Sequence, residues 1–232
     1  MKDETKEKVE QETAEWAYLK ELPAEQYGFQ FRELRIVAGD IYDIFQYADE
    51  KRRRSTTAYY HEETHEYKLR VRIGLTEFCR IEFIAPNLAA FEELMRAQFG
   101  SALHGLAEFD PASISSIVQE KRLGDWEYGK HLPETLEGYE LFLRPAEPLR
   151  ITNGSYIVFD YSDFSIESNF IIYYNMFRDE FFGEARIRNI PEMNYVFDSK
   201  DLDELEEKLE AHLVPRLREV RERAGGGDDI AK

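Results

Sequence analysis

The 232-residue sequence predicts an α+β fold: a tandem duplication of an α-β(about five, antiparallel)-α module, with helices packed on one face of each sheet. Three observations carry this expectation. Two tryptophan octets nearly repeat, an aromatic strand block recurs at almost the same spacing, and one apolar helix stripe occurs twice.

The chain has two tryptophans, in WAYLKELP at 16–23 and WEYGKHLP at 126–133. Trp16, Tyr18, Lys20, Leu22 and Pro23 thereby fall on Trp126, Tyr128, Lys130, Leu132 and Pro133, 110 residues later. YDIFQYAD from Tyr42 and YIVFDYSD from Tyr156 lie 114 apart, and the same spacing brings Tyr59-Tyr60 onto Tyr173-Tyr174 and Arg72-Ile73 onto Arg186-Ile187. The helical segments from Asn87 and Asp201 obey it too. Leu88, Phe91, Met95, Phe99 and Leu103 pair with Leu202, Leu205, Leu209, Leu213 and Leu217, the stripe of an amphipathic helix. Short matches arise by chance; four in one order at nearly one spacing are much harder to obtain that way. The division expected is a first module at 1–109, a second at 110–224 and a flexible tail at 225–232.

Each element has a local reason. Residues 2–20 read as one amphipathic helix, with Val9, Trp16 and Leu19 at helical intervals. Its counterpart has Asp110 as N-cap, Pro111 at the first helical position, Ile114, Ile117 and Val118 inward, and Gly124 at the stop. Asn153-Gly154 between β-rich runs signals a hairpin, and Gly39-Asp40 occupies the same place in the first module. Leu69, Val71 and Ile73 alternate with Lys68, Arg70 and Arg72, giving one buried and one wet face. NFIIYYNM is apolar on both faces, as a central or interface strand would be. Cys79, Ile81 and Phe83 share a face, which reads as a buried, inert thiol. Asp201 and Glu204 resemble a capping box, Pro215 is expected to bend or end the last helix, and Arg216, Arg218, Arg221 and Arg223 to complement its C-terminus.

Apolar content of 43% and aromatic content of 14% are ample for packed cores. A net charge of −17 opposes nucleic acid and anionic membranes and favours a basic partner. One cysteine permits no internal disulfide, and no apolar run approaches the roughly 20 residues needed to span a bilayer. The charged start MKDETKEKVE lacks a signal-peptide core, so cytoplasmic residence is expected.

The sharpest chemical string is HEETH, His61 to His65, which fits the zinc-protease pattern H-E-x-x-H. That chemistry requires a helix, because only there do the two histidines point the same way. The β-like flanks TTAYY and EYKLRVRI argue for a polar hairpin tip, leaving His61 and His65 as minor metal candidates. The quartet Lys51, Arg52, Arg53 and Arg54 sits in an inter-strand loop whose counterpart, SIES, has no basic residue, so it is a candidate contact for an anion or acidic partner. Outward tyrosines gathered with Tyr47 or Tyr161 would suit a protein-binding patch. Asp49 and Asp163 read as turn initiators. No phosphate-cradling glycine loop and no G-x-S-x-G elbow occurs, and NGS at 153–155 lies in a tight hairpin where glycosylation is not expected.

These features make a non-enzymatic acidic protein-binding module the expectation: an inhibitor, an immunity-type protein or an adaptor. Its partner would be another protein, a basic one by charge, with no nucleic acid, no membrane and no cofactor. An enzyme or small-molecule binder with a pocket between sheet and helix is the first alternative, and a zinc-dependent hydrolase through HEETH the second.

Overall fold

A computed structural model describes residues 1–225, so most of the expected tail lies outside the described residues. The fold is mixed α+β with two antiparallel sheets, and the chain divides into two compact units between Phe109 and Asp110.

The first unit opens with two helices where one was expected, α1 (Asp3–Ala14) and α2 (Ala17–Glu21). The break falls at Trp16, whose backbone is extended at φ −67° and ψ 102°. A straight helix would keep the chain on one course; the break lets Val9 and Thr13 bury from α1 while Trp16 and Tyr18 bury after it. Six strands then follow in sequential antiparallel order: β1 (Glu25–Gln26), β2 (Phe29–Ala38), β3 (Ile41–Asp49), β4 (Arg54–His61), β5 (Glu66–Ile73) and β6 (Thr76–Ala85). The strand beyond five is the short β1, folded back on β2 through Tyr27 and Gly28 at φ 53° and 84°. Gly39, at φ 63°, turns the β2–β3 hairpin between Ala38 and Ile41.

Helix α3 (Leu88–Ala107), capped by Asn87 accepting from Ala90 N at 2.9 Å, packs on β5 and β6. Phe91, Met95, Phe99 and Leu103 form its buried stripe. Strand β5 alternates as its sequence predicts, with Leu69, Val71 and Ile73 buried. Strand β6 does not. A register shift opposite Tyr67–Leu69 bulges it, so Cys79 is half-buried, Ile81 exposed and Phe83 buried. The three do not share one face.

The second unit departs from expectation at its start. Asp110 does cap a turn, accepting from Ala112 N at 2.9 Å, but the turn is a single 3₁₀ segment, Pro111–Ser113. After α4 (Ser116–Glu120), a second 3₁₀ turn (Leu123–Asp125) contains Gly124, and α5 (Glu127–Lys130) follows. Arg122, at φ 54°, stops the helix before Gly124 can. Val118 is buried and Ile114 packs on the core, while Ile117 is exposed.

The second sheet comprises β7 (Thr135–Leu136), β8 (Tyr139–Leu143), β9 (Leu149–Arg150), β10 (Ser155–Asp163), β11 (Ser168–Asn175), β12 (Glu180–Ile187) and β13 (Ile190–Ser199). Its order is β13-β12-β11-β10-β8-β7, with β9 also on β10. Pro145 and Pro148 lie between β8 and β9, and neither can donate to a ladder, which keeps the two short strands apart. Asn153 and Gly154 both take positive φ, 55° and 69°, and Ser155 N donates to Thr152 O at 3.1 Å, giving the type I′ geometry their sequence predicts. Strand β11 lies inside the sheet, and its residues from Ser168 to Tyr174 are buried on both faces.

The last helix, α6 (Leu202–Gly225), packs on β11, β12 and β13. Glu204 N donates to Asp201 Oδ1 and Lys200 N to Glu204 Oε2, both at 2.9 Å, a reciprocal start of the expected kind. The helix runs through Pro215 without ending there. Proline inside a helix costs about 3 kcal/mol, and burial of Leu209, Leu213, Leu217 and Val220 on either side offsets it. Its arginines also act otherwise than expected: Arg216 and Arg223 pair with Glu192 of β13, Arg218 with Glu137, and Arg221 with Asp163 at 2.6 Å. They clamp helix to sheet and turns instead of only answering the helix dipole. Among the described residues, no helix is long and apolar enough to cross a membrane.

Candidate functional site

The HEETH segment is a turn between strands. His61 closes β4, and β5 begins at Glu66. The two histidines part company there. His61 Nε2 lies 3.1 Å from Asp40 Oδ2, and its Nδ1 lies 3.0 Å from Thr64 Oγ1. His65, at φ 57°, turns its Nδ1 to within 3.4 Å of the Tyr60 hydroxyl. The arrangement that a zinc protease needs, two imidazoles converging from one helix face, is therefore absent, and the hydrolase expectation built on His61 with His65 is corrected. Glu62 is also engaged: both of its oxygens accept from Lys2 N at 3.0 Å, and these bonds hold its carboxyl below the usual range.

What the turn does assemble is a different trio. Asp40, His61 and Glu63 bring one ligand atom each within 4.8 Å of one another. Main-chain pairing creates this proximity, since Ile41 sits opposite His61 in the β3–β4 ladder and Glu62 N donates to Asp40 O at 2.8 Å. Glu66, at the start of β5, pairs with Lys68 at 3.0 Å, which holds its carboxyl below the usual range. Sequence reasoning missed Asp40 and Glu63. The available signal was the Gly39-Asp40 hairpin, whose far strand leads to His61.

Two members of the basic quartet reach the end of a helix. Arg52 Nη1 donates to Ala107 O at 3.0 Å and Arg54 Nη1 to Leu106 O at 2.8 Å, meeting the last carbonyls of α3. Arg188 does the same in the second unit, donating to Ala224 O at 2.7 Å. Lys51 and Arg53 are exposed beside them.

Tyr47 and Tyr161 cannot form a surface patch, because both are 0% exposed. Each hydroxyl donates to a proline carbonyl, Tyr47 to Pro23 O at 2.6 Å and Tyr161 to Pro133 O at 2.7 Å. Their alternation within the strands points them at the helix side, where Tyr47 lies beside Phe99 and Tyr161 joins the second core. Asp49 and Asp163 open turns as expected, accepting from Arg52 N at 3.0 Å and Ser165 N at 2.9 Å.

One ionisable residue escaped sequence reasoning altogether. Asp160 is 0% exposed within β10, where Ser162 Oγ donates to it at 2.8 Å and Asn169 Nδ2 lies 3.2 Å from both of its oxygens. Burial, only partly opposed by Ser162, Asn169 and Arg186, pushes its pKa up to about 7. The residue's only sequence signal, an aspartate inside an apolar run, equally fits a solvent-facing strand position. Cys79 is likewise pushed up by burial, which keeps the thiolate form scarce.

Concave and apolar surfaces complete the survey. In the second unit a cleft of about 250 Å³ lies between the Leu132-Pro133 segment and α6, lined by Tyr128, Leu136, Leu209 and Leu213 among others. Ligand pockets usually hold about 300–1,000 Å³, so this one is small for a drug-sized molecule. Strand β13, at the edge of its sheet, exposes Ile190 (70%), Met193, Tyr195 (72%) and Val196. Strand β6, at an edge of the first sheet, exposes Ile81 and Ile84. No family model matches the chain, and neither a curated protein nor a solved structure does.

Proposed function

We propose that the chain is a tandem duplication of one α+β unit and serves as a non-enzymatic protein-binding module, of inhibitor, immunity or adaptor kind. Recurrence of detail supports the duplication. Strands β3, β4, β5 and β6 and helix α3 each begin 114 residues before β10, β11, β12, β13 and α6. The irregularities recur as well: the ladder shift between Asp43 and Phe45 returns between Ile157 and Phe159, and that between Tyr67 and Leu69 returns between Phe181 and Gly183. Bulges are specific features of a strand that families retain, so matched bulges weigh more than matched strands. Trp16 Nε1 donates to Glu92 at 2.7 Å from the first octet, and Trp126 Nε1 to Glu206 at 3.2 Å from the second.

The binding reading rests on one observation, the apolar row on β13. An exposed strand edge carrying Ile190, Met193, Tyr195 and Val196 offers unpaired backbone groups together with aromatic and aliphatic anchors. The neighbouring start of α6 carries Asp203, Glu204, Glu206 and Glu207, so a basic protein segment suits the surroundings. Affinity capture tests this with the wild-type chain and a Tyr195→Glu, Val196→Glu variant of unchanged circular dichroism. A basic protein retained at low salt by the wild type and lost by the variant is expected. The same proteins retained by both would refute the proposal.

A further inference from the structure

We propose that Asp40, His61 and Glu63, at the β2–β3 and β4–β5 hairpin tips, bind a divalent transition-metal cation of the zinc class. This site is independent of the protein-binding reading, and it does not use His65.

His61 presents both ring nitrogens to oxygens: Nδ1 lies 3.0 Å from Thr64 Oγ1 and Nε2 lies 3.1 Å from Asp40 Oδ2. A Glu63 carboxylate oxygen belongs to the same cluster, the three ligand atoms all lying within 4.8 Å of one another. With Nδ1 donating to the Thr64 hydroxyl, a neutral imidazole turns its Nε2 lone pair toward the two carboxylates, an arrangement that a cation completes.

The geometry suits one. Ligand atoms about 2.0–2.2 Å from tetrahedral zinc stand about 3.3–3.6 Å apart, a little wider than the 3.1 Å His61–Asp40 separation. Metal-binding histidines commonly donate their second ring nitrogen to an oxygen that fixes the ring, and Thr64 occupies that position here. The main chain of Asp40 is held by the bond from Glu62 N to its carbonyl, which fixes where its side chain starts from. Glu63 is exposed and closes the set. One imidazole with two carboxylates favours zinc, manganese or iron over magnesium, which prefers oxygen alone.

The test is calorimetric titration of the tag-free chain with zinc chloride, and with magnesium chloride as comparator. Binding of one zinc per chain is expected, weakened at least about tenfold by His61→Ala and by Glu63→Gln and changed less than about twofold by His65→Ala. Nitrogen-15 spectra should show zinc shifting the His61 Nε2 resonance while Nδ1 keeps its proton. The proposal is overturned if zinc gives no binding, if binding survives His61→Ala, or if His65→Ala abolishes it. In the first of those cases Asp40 and His61 form an ion pair only.

Discussion

Replacing Asp160 with asparagine should make the protein more stable at alkaline pH and should flatten its pH dependence. The carboxyl is fully buried, with a folded-state pKa of about 7. An unfolded aspartate titrates near 3.9, so folding raises the pKa by roughly 3 units, each corresponding to about 1.36 kcal/mol. For an acid raised in this way, stability is complete below the unfolded value and is lost as pH climbs through the folded one. Between pH 5 and pH 8 the wild type should therefore lose about 2–3 kcal/mol through this group, while Asp160→Asn loses none. The replacement is nearly isosteric, and Asn169 can turn its amide to serve it, since Asn169 Oδ1 has no hydrogen-bond partner at present. Urea denaturation of both proteins at pH 5, 6, 7 and 8 supplies the assay, and taking their difference cancels every other titrating group. A stability difference that stays constant across that range would refute the reasoning.

Two further outcomes concern the scaffold. Tyr47→Phe and Tyr161→Phe each remove a hydroxyl that serves a proline carbonyl and should cost about 1–2 kcal/mol apiece in denaturant titrations. Unequal losses would mean that the two loops are held differently. Gly154→Ala places a Cβ at φ 69°, 2.5 Å from the exposed Phe177 ring and 2.9 Å from Cγ of Met176, which packs on the core, so thermal unfolding should show a loss above the backbone penalty of about 1 kcal/mol alone.

Much of the scaffold was legible because its signals are local or periodic. The stripe from Phe91 to Leu103 needs only 3.6-residue spacing, and Asn153-Gly154 needs only the steric freedom of positive φ. The missed features depend on partners remote in sequence. Residues 2–20 and 110–124 carry helical signals, yet the first segment breaks at the extended Trp16 and the second at the left-handed Arg122. Ile81 left the face of Phe83 because a bulge, invisible in alternation, shifts the register. Arg52 and Arg54 read in sequence as an inter-strand loop poised for an anion or acidic partner, because nothing in the sequence says that the end of α3 comes to meet them. The Asp40–His61 pairing arises in the same way, from a ladder that joins residues 21 positions apart.

The proposed duplication has each tryptophan docked on the helix that closes its own unit. Nitrogen-15 spectra of the two indole groups test that most directly, using Glu92→Gln and Glu206→Gln. Glu92→Gln should move the Trp16 indole resonance alone, and Glu206→Gln the Trp126 resonance alone. If either substitution leaves both resonances in place, the two octets are not seated alike and the claim of a repeated unit is contradicted.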